Sequence, residues 1–228
     1  MQRAIRSYVV RAGRMTDAQR RALDQLWPRF GLEFQPLPLN LDDIFGRRAP
    51  RTLEIGFGDG EHLLERALVA PERDFLGVEV HPPGIGHLLL AAARAETTNQ
   101  RVIAHDAVEV LRTQIPPDVL DEIQLLFPDP WPKKRHHKRR LLTDPFAQLV
   151  ASRLAPAGRF HAATDWLPYA EQMLSVLNDC PLLRNCSLDG GFVGSQDVMT
   201  RRPTRFQRRG ERLGHGVREL LFRRVPQK

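Results

Sequence analysis

Short apolar runs alternate with amphipathic stretches along most of this chain. The apolar runs that predict strands are residues 51–56, 74–80, 101–105, 121–127 and 158–164. After them come stretches in which apolar positions recur with helical spacing, at residues 61–69, 84–96, 107–114, 144–154 and 169–177. The strand runs are almost continuously apolar, which is typical of parallel strands covered by helices on both faces.

This alternation also predicts the fold class. Five successive strand–helix pairs predict a doubly wound α/β sheet of about seven mostly parallel strands. Two of the strands are expected late in the chain, one within residues 183–193 and an antiparallel one at 218–225.

The N-terminal part of the chain differs from this core. A helix is predicted near residues 16–26, because Thr16 and Gln19 have the spacing of a capping box. No repeat or low-complexity linker divides the chain, so we expect a single domain over all 228 residues. Within it, residues 1–45 form a basic arm and helix, and residues 50–228 form the core.

Basic residues are concentrated in three segments of this chain, whose formal net charge is +7. The first 21 residues contain six arginines and one aspartate, and residues 201–224 contain nine arginines and two glutamates. Residues 133–140 contain six cations, two histidines and no acid. Since the rest of the chain is acidic overall, the expected partner is a polyanion held at selected edges of the protein.

Composition gives little support to several other classes of protein. The two cysteines can form neither a disulfide framework nor a metal site of recognised spacing, so we expect no metal. The apolar runs are far shorter than a membrane span, so we expect no membrane partner. The default expectation is a cytoplasmic protein.

A glycine-rich turn follows the first predicted strand, with Gly56, Gly58 and Gly60 in GxGxG spacing. Glycines at such a turn let the backbone bend tightly and approach a ligand closely. The neighbouring Asp59 and Glu61 would repel a pyrophosphate. A cofactor without phosphate groups is therefore favoured over a dinucleotide.

Acidic residues lie near the ends of the first three predicted strands. Glu54 could hold the amino group of an amino-acid moiety, and Glu79 could accept hydrogen bonds from ribose hydroxyls. Asp106 could contact the edge of an adenine ring. Together they indicate S-adenosylmethionine, which combines an amino acid, a ribose and an adenine.

The fourth predicted strand ends in a proline-bracketed acid and an indole, Asp129 and Trp131. Ligands of open α/β sheets bind at strand ends, and dense cationic runs are typical of phosphate-binding surfaces. This arrangement predicts chemistry on a nucleic acid, with Trp131 as a candidate stacking surface for a base. The alternatives are a solvated loop for the basic run and a hydrophobic lid for Trp131. The run that follows consists of Lys133, Lys134, Arg135, His136, His137, Lys138, Arg139 and Arg140.

These motifs resemble those of the bacterial tRNA (guanine-N7-)-methyltransferases, and the resemblance covers nearly the whole chain. The segments that carry it are LEIGFGDG, FLGVEVHPPGIG, AHDAVEVL, LLFPDPWPKKRHHKRRL, ATDWLPYAEQML and RPTRFQRRGERLGHGVREL. The resemblance implies a Rossmann-like sheet and methylation of guanine N7 in tRNA, at nucleotide 46 of the variable loop, with S-adenosylmethionine as donor.

The resemblance also implies roles for individual residues. Cofactor contacts are expected from the glycine turn and from Glu54, Glu79, Asp106 and Asp129, with Asp129 as the active-site residue. Substrate contacts are expected from Lys133, Asp165, Thr204, Arg205, Phe206 and Gln207. RNA contacts are expected from Arg135, His136, His137, Lys138, Arg139 and Arg140.

The chain departs from the family pattern at three positions. The family usually has glutamate where Gln207 stands, lysine at Arg205 and tryptophan at Arg218. An acid at position 207 could accept from two guanine N–H groups, whereas an amide has a single acceptor oxygen. The guanine-reading role of Gln207 is therefore open.

Two functions from other classes remain as alternatives. The first is a non-catalytic RNA-binding protein on a methyltransferase scaffold, although each of its strand-end acids is intact. The second is a methyltransferase that uses S-adenosylmethionine on a non-RNA substrate, which leaves the three basic segments unexplained. The sequence is compatible with a monomer or a homodimer.

Overall fold

The computed structural model describes residues 7–8, 14–194 and 216–226. Within these residues the strands form an eight-stranded sheet in the order β1-β4-β3-β2-β5-β6-β8-β7. The strands are β1 (Gly31–Leu32), β2 (Arg51–Ile55), β3 (Asp74–Val78), β4 (Gln100–Ile103), β5 (Leu120–Leu126), β6 (Leu154–Thr164), β7 (Leu183–Asn185) and β8 (Arg218–Arg224).

Helices connect the parallel strands and cover both faces of the sheet. In the described part of the chain they are α1 (Asp17–Phe30), α2 (Leu41–Phe45), α3 (Glu61–Val69), α4 (Pro82–Arg94), α5 (Ala107–Thr113), α6 (Asp144–Arg153) and α7 (Leu167–Asn178). A 3-10 helix at Lys134–Arg139 lies between β5 and α6.

Strand pairing confirms the predicted doubly wound sheet. The neighbouring strands from β1 to β6 pair in parallel, whereas β8 runs antiparallel to both β6 and β7. The strand that the sequence did not predict is β1, which pairs Gly31 and Leu32 with β4. Two residues are too few to show strand periodicity.

Helix α1 continues four residues beyond the predicted end at residue 26. Its start is as predicted, because Thr16 and Gln19 form both hydrogen bonds of a capping box. Pro28 lies in the last turn, where its missing N–H removes only one helical hydrogen bond. The extension buries Phe30 completely, which favours the longer helix.

Each face of the sheet has its own apolar core, because alternate strand residues point to opposite faces. Leu53, Leu76 and Ile123 pack on the face covered by α6 and α7. Phe75 and Val102 pack on the face covered by α1, α3 and α4. Burial contributes roughly 1.5–3 kcal/mol for each fully buried side chain of this size. The two layers fix the strand ends relative to one another.

The carboxyl ends of the five parallel strands β2 to β6 meet along one edge of the sheet. Five of the predicted site residues lie near or after these ends: Glu54, Glu79, Asp106, Asp129 and Asp165. The fold therefore brings to one edge acids that are up to 111 positions apart in the sequence.

Candidate active site

The glycine turn after β2 has the backbone geometry that requires glycine. Gly56, Gly58 and Gly60 have φ angles of +69°, +62° and +78°, in the left-handed region. A Cβ on Gly60 would lie 2.7 Å from Leu88 Cβ, so this glycine is needed for packing against α4. A Cβ on Gly56 or Gly58 would meet no atom within 4 Å. These two positions border open space that a ligand can enter.

Glu79 connects the end of β3 to the glycine turn. One carboxylate oxygen accepts a hydrogen bond from Gly58 N at 2.9 Å, and the other accepts from Val80 N at 2.6 Å and His81 N at 3.0 Å. A carboxylate has about four acceptor positions, so these bonds leave about one for a ribose hydroxyl. Glu79 therefore holds the turn itself, which the sequence did not reveal.

Glu54 is buried in β2, with 3% of its surface exposed. One of its carboxylate oxygens lies 3.0 Å from Nδ1 of His62, which is at the start of α3. A buried carboxylate requires such a partner. His62 was missed in the sequence, because a histidine in an amphipathic helix gives no sign of its contact with the preceding strand.

Asp106 caps α5 by accepting a hydrogen bond from Val108 N at 2.8 Å. The preceding residue, His105, lies 2.5 Å from a carboxylate oxygen of Glu109 and stacks on Phe34 with 3.6 Å between ring centroids. Asp106, the expected adenine contact, thus directly follows a residue that belongs to a stacked aromatic pair, His105 and Phe34. Phe34 comes from the connector between β1 and α2, and its position here was not predicted from the sequence.

The loop after β5 carries Asp129 on a strained backbone. Phe127 and Trp131 have φ angles of +52° and +45°, which bulky side chains rarely adopt. Such conformations cost on the order of 1–3 kcal/mol each and persist only where the surroundings impose them. They bracket Asp129, whose side chain is exposed at the sheet edge. Strain of this kind is concentrated at functional sites.

Trp131 packs within the basic segment. The Arg139 guanidinium lies 5.0 Å from the indole ring centroid, and His136 contacts the ring edge-on at 5.7 Å. The indole N–H donates to Ser7 O at 3.1 Å, so Ser7 lies at this loop. These contacts favour the packing interpretation of Trp131 over that of a free stacking surface.

The 3-10 helix presents most of the cationic run to solvent. Lys133, Arg135 and Lys138 are exposed. Partial desolvation lowers the pKa of His136, and the nearby charges of Arg135 and Arg139 lower it further. His136 is therefore a weaker source of positive charge than its neighbours.

Arg140, for which an RNA contact was predicted, is buried, unlike the other cations of the run. Only 5% of its surface is exposed, and its Nε donates to Pro130 O at 2.9 Å. Its guanidinium carbon lies 4.8 Å from the ring centroid of Tyr169 in α7. A guanidinium enclosed in this way is not presented to a phosphate, which argues against the predicted RNA contact of Arg140.

Tyr169 is a further residue that the sequence did not single out. Its hydroxyl accepts a hydrogen bond from Leu142 N at 3.2 Å. Burial raises the pKa of Tyr169 to about 12, and the negative charge of Asp129 adds to this increase. Tyr169 is therefore a neutral phenol beneath the Asp129 loop. Asp165 follows β6 two residues before α7, at the same sheet edge.

The predicted substrate contacts Thr204, Arg205, Phe206 and Gln207 lie outside the described residues. Within the described ranges, no group of three or more His, Cys, Asp or Glu side chains could hold a metal ion. No helix in that part of the chain is long and apolar enough to cross a membrane.

Comparison with known proteins identifies the family. Residues 48–220 match a family described as a putative methyltransferase. A tRNA (guanine-N(7)-)-methyltransferase of Methylococcus capsulatus is 55% identical over 226 residues, which cover 97% of this chain and 95% of that protein. The chain belongs to the tRNA (guanine-N7-)-methyltransferase family. A second member, from Stutzerimonas stutzeri, is 53% identical and covers 98% of this chain and 93% of its own.

Solved methyltransferases share the fold of this tRNA (guanine-N7-)-methyltransferase family member. The antibiotic-resistance methyltransferase Kmr superposes with a TM-score of 0.57 at 15% identity, covering 83% of this chain and 93% of its own. The aminoglycoside resistance methyltransferase NpmB1 gives 0.53 at 15% identity, covering 81% and 92%. These structures confirm the predicted fold, and the high-identity relatives confirm the predicted family.

Proposed function

We propose that this protein transfers a methyl group from S-adenosylmethionine to N7 of guanine in tRNA, at nucleotide 46 of the variable loop. The observation that carries the proposal is the position of Asp129, exposed on a strained loop between the glycine turn and the cationic 3-10 helix. The family of its relatives, whose names specify tRNA and guanine N7, supports the same substrate.

The residues around the glycine turn fit S-adenosylmethionine. Open space beside Gly56 and Gly58 admits a ligand close to the backbone. The buried Glu54 carboxylate suits a cationic amino group, and the remaining acceptor position of Glu79 suits a ribose hydroxyl. Asp106 follows β4 at the same sheet edge, which suits a contact with the adenine. The bound cofactor supplies an electrophilic methyl group.

Guanine N7 needs little chemical activation. It has an in-plane lone pair and no hydrogen, so no base is required, and catalysis consists mainly of orientation. The purine gains positive charge as the methyl group arrives. A carboxylate fixed nearby stabilises that charge, and removal of one such electrostatic group typically lowers kcat by about 10²–10³-fold. Asp129 has this role.

The exposed cations next to Asp129 hold the tRNA backbone. Arg135 and Lys138 contact phosphates, assisted by Lys133, Arg139 and the two histidines of the run. Neutralisation of phosphates releases counterions, which gives affinity that depends on salt and little on sequence. Asp165 and residues 204–207 contact the nucleotide itself. A cytoplasmic location, where tRNA is modified, follows from this role.

The decisive test is incubation of the purified protein with unmodified tRNA and S-adenosylmethionine, followed by nucleoside mass spectrometry. Formation of 7-methylguanosine is the expected result. A tRNA transcript with adenine in place of guanine at nucleotide 46 tests the position, because it should remain unmethylated. Absence of 7-methylguanosine from the natural transcript would overturn the proposed activity. Methylation of the substituted transcript would overturn only the position.

A further inference from the structure

Arg140 turns inward at the end of an otherwise exposed cationic run. Its backbone N–H closes the 3-10 helix by donating to His137 O at 2.9 Å, and its side chain contacts the Asp129 loop at Pro130 O. The surrounding cations Lys133, Arg135 and Lys138 are exposed, whereas Arg140 is buried. The role of the Arg140 side chain must therefore depend on its contacts inside the protein.

The Arg140 guanidinium joins two elements of the candidate site. Nε donates to Pro130 O in the Asp129 loop, and Nη1 donates to Gln172 Oε1 in α7. The guanidinium carbon also lies over the ring of Tyr169, 4.8 Å from its centroid and one turn earlier in α7. A planar group with donors on several sides can make these contacts together, which lysine cannot.

The composition of the loop makes an external donor important. Pro128 and Pro130 have no backbone N–H, so the loop cannot be held through donors of its own at these positions. The carbonyl of Pro130 precedes Trp131, one of the two strained residues, and accepts from Arg140. A backbone in a sparsely populated conformation persists only where several surrounding contacts stabilise it.

Fold stability alone does not account for an arginine here. Nη2 of Arg140 is buried with no hydrogen-bond partner among the described residues. A buried donor without a partner is destabilising, and an apolar side chain of similar length would avoid that penalty. The contacts to the Asp129 loop are what an apolar side chain would not provide.

We infer that Arg140 is a positioning residue, which anchors the Asp129 loop to α7 and thereby fixes the Asp129 carboxylate beside the reacting guanine. The inference rests on the proposed function, since it assigns a role within that reaction. It also separates Arg140 from the phosphate-binding cations that precede it in the sequence.

The test compares Arg140→Met with two other variants. Arg140→Met keeps the apolar stem but removes every donor. We expect kcat at saturating tRNA and S-adenosylmethionine to fall about tenfold or more, because both substrates still bind but Asp129 is no longer held in its productive orientation. The tRNA Kd and its salt dependence should remain within about twofold of wild type. The double variant Arg135→Gln/Lys138→Gln should instead weaken and flatten the salt-dependent binding.

Arg153 provides a matched control for loss of a partly buried arginine. Its Nε donates to Leu111 O at 2.6 Å, on α5 and away from the Asp129 loop. Arg153→Gln should lower Tm while leaving kcat close to wild type. Arg140→Lys should give an intermediate kcat, because one ammonium can still donate to Pro130 O but cannot also contact Gln172 and the Tyr169 ring.

Several results would overturn the inference. An Arg140→Met enzyme with wild-type kcat and a flatter salt dependence would make Arg140 a phosphate contact. Equal losses of kcat in the Arg140 and Arg153 variants, in proportion to Tm, would reduce its role to stability. If Arg140→Met does not fold, a folded Arg140→Lys enzyme with full kcat also overturns it. Failure of the proposed function is distinct, because the wild-type protein would then form no 7-methylguanosine.

Discussion

Replacement of Glu79 by glutamine tests how the cofactor site is built. The carboxylate accepts hydrogen bonds from Gly58 N, Val80 N and His81 N. A glutamine has the same shape but one acceptor oxygen, so its amide nitrogen would face one of these donors. The oxygen can still serve Val80 and His81, which leaves the Gly58 N–H facing the amide nitrogen.

The size of the effect follows from this loss. Gly58 is half-buried, and a donor left without a partner costs about 1–3 kcal/mol once a bound ligand covers it. If the turn must be ordered for binding, Glu79→Gln should raise the Kd for S-adenosylmethionine roughly five- to 150-fold. Titration calorimetry with wild-type and variant protein measures this directly, and circular dichroism checks that the variant is folded.

A cofactor analogue separates the two roles of Glu79. S-adenosylhomocysteine and its 2′-deoxy form differ in one ribose hydroxyl. Glu79 can accept a hydrogen bond from that hydroxyl only at its remaining acceptor position. If Glu79 contributes to affinity mainly through its contact with that hydroxyl, Glu79→Gln should weaken binding of the deoxy form only slightly. If the turn dominates, both ligands should lose the same factor, as we expect. Unchanged affinity of the variant for both would refute the reasoning altogether.

Four other predictions follow from the site. Asp129→Asn should lower kcat about 10²–10³-fold in initial-rate assays with little change in fold, and a near wild-type rate would remove its assigned role. Arg135→Gln/Lys138→Gln should reduce the log–log salt slope of tRNA binding by about 0.7–0.9 per lost phosphate contact, and an unchanged slope would leave the run as a solvated loop. Gly60→Ala should lower Tm, because its Cβ would collide with Leu88. Gln207→Glu should improve guanine methylation without altering the salt slope, and rate measurements at two salt concentrations check both points.

Much of the fold could be predicted because apolar strand runs alternate regularly with stretches of helical spacing. The predicted strand at residues 121–127 differs from β5 by one residue at each end. The earlier C-terminal end has a physical cause, since Phe127 adopts a positive φ that ends the strand. Strand β1 could not be predicted, because it depends on pairing with β4 rather than on its own two residues.

The location of the candidate site could be predicted from the sequence, but only some of the contacts made by its residues could. Parallel strands bring their ends to one edge, so Glu79 and Asp106 could be placed from the sequence. The inward orientation of the Arg140 side chain could not be predicted, because nothing in the sequence distinguishes this residue from the exposed cations before it. The partners His62 and Tyr169 come from helices whose contacts arise only on folding.

The positions of the acids along the edge suggest how the binding energy is divided. During transfer, positive charge leaves the cofactor and appears on the purine. A carboxylate that contacts the amino group or ribose, as proposed for Glu54 and Glu79, interacts equally in the ground and transition states and affects KM. A carboxylate nearer the guanine interacts more strongly as the charge arrives and affects kcat. Saturating S-adenosylmethionine should therefore restore the rate of Glu79→Gln but not that of Asp129→Asn, and full rescue of both would place Asp129 with the binding residues.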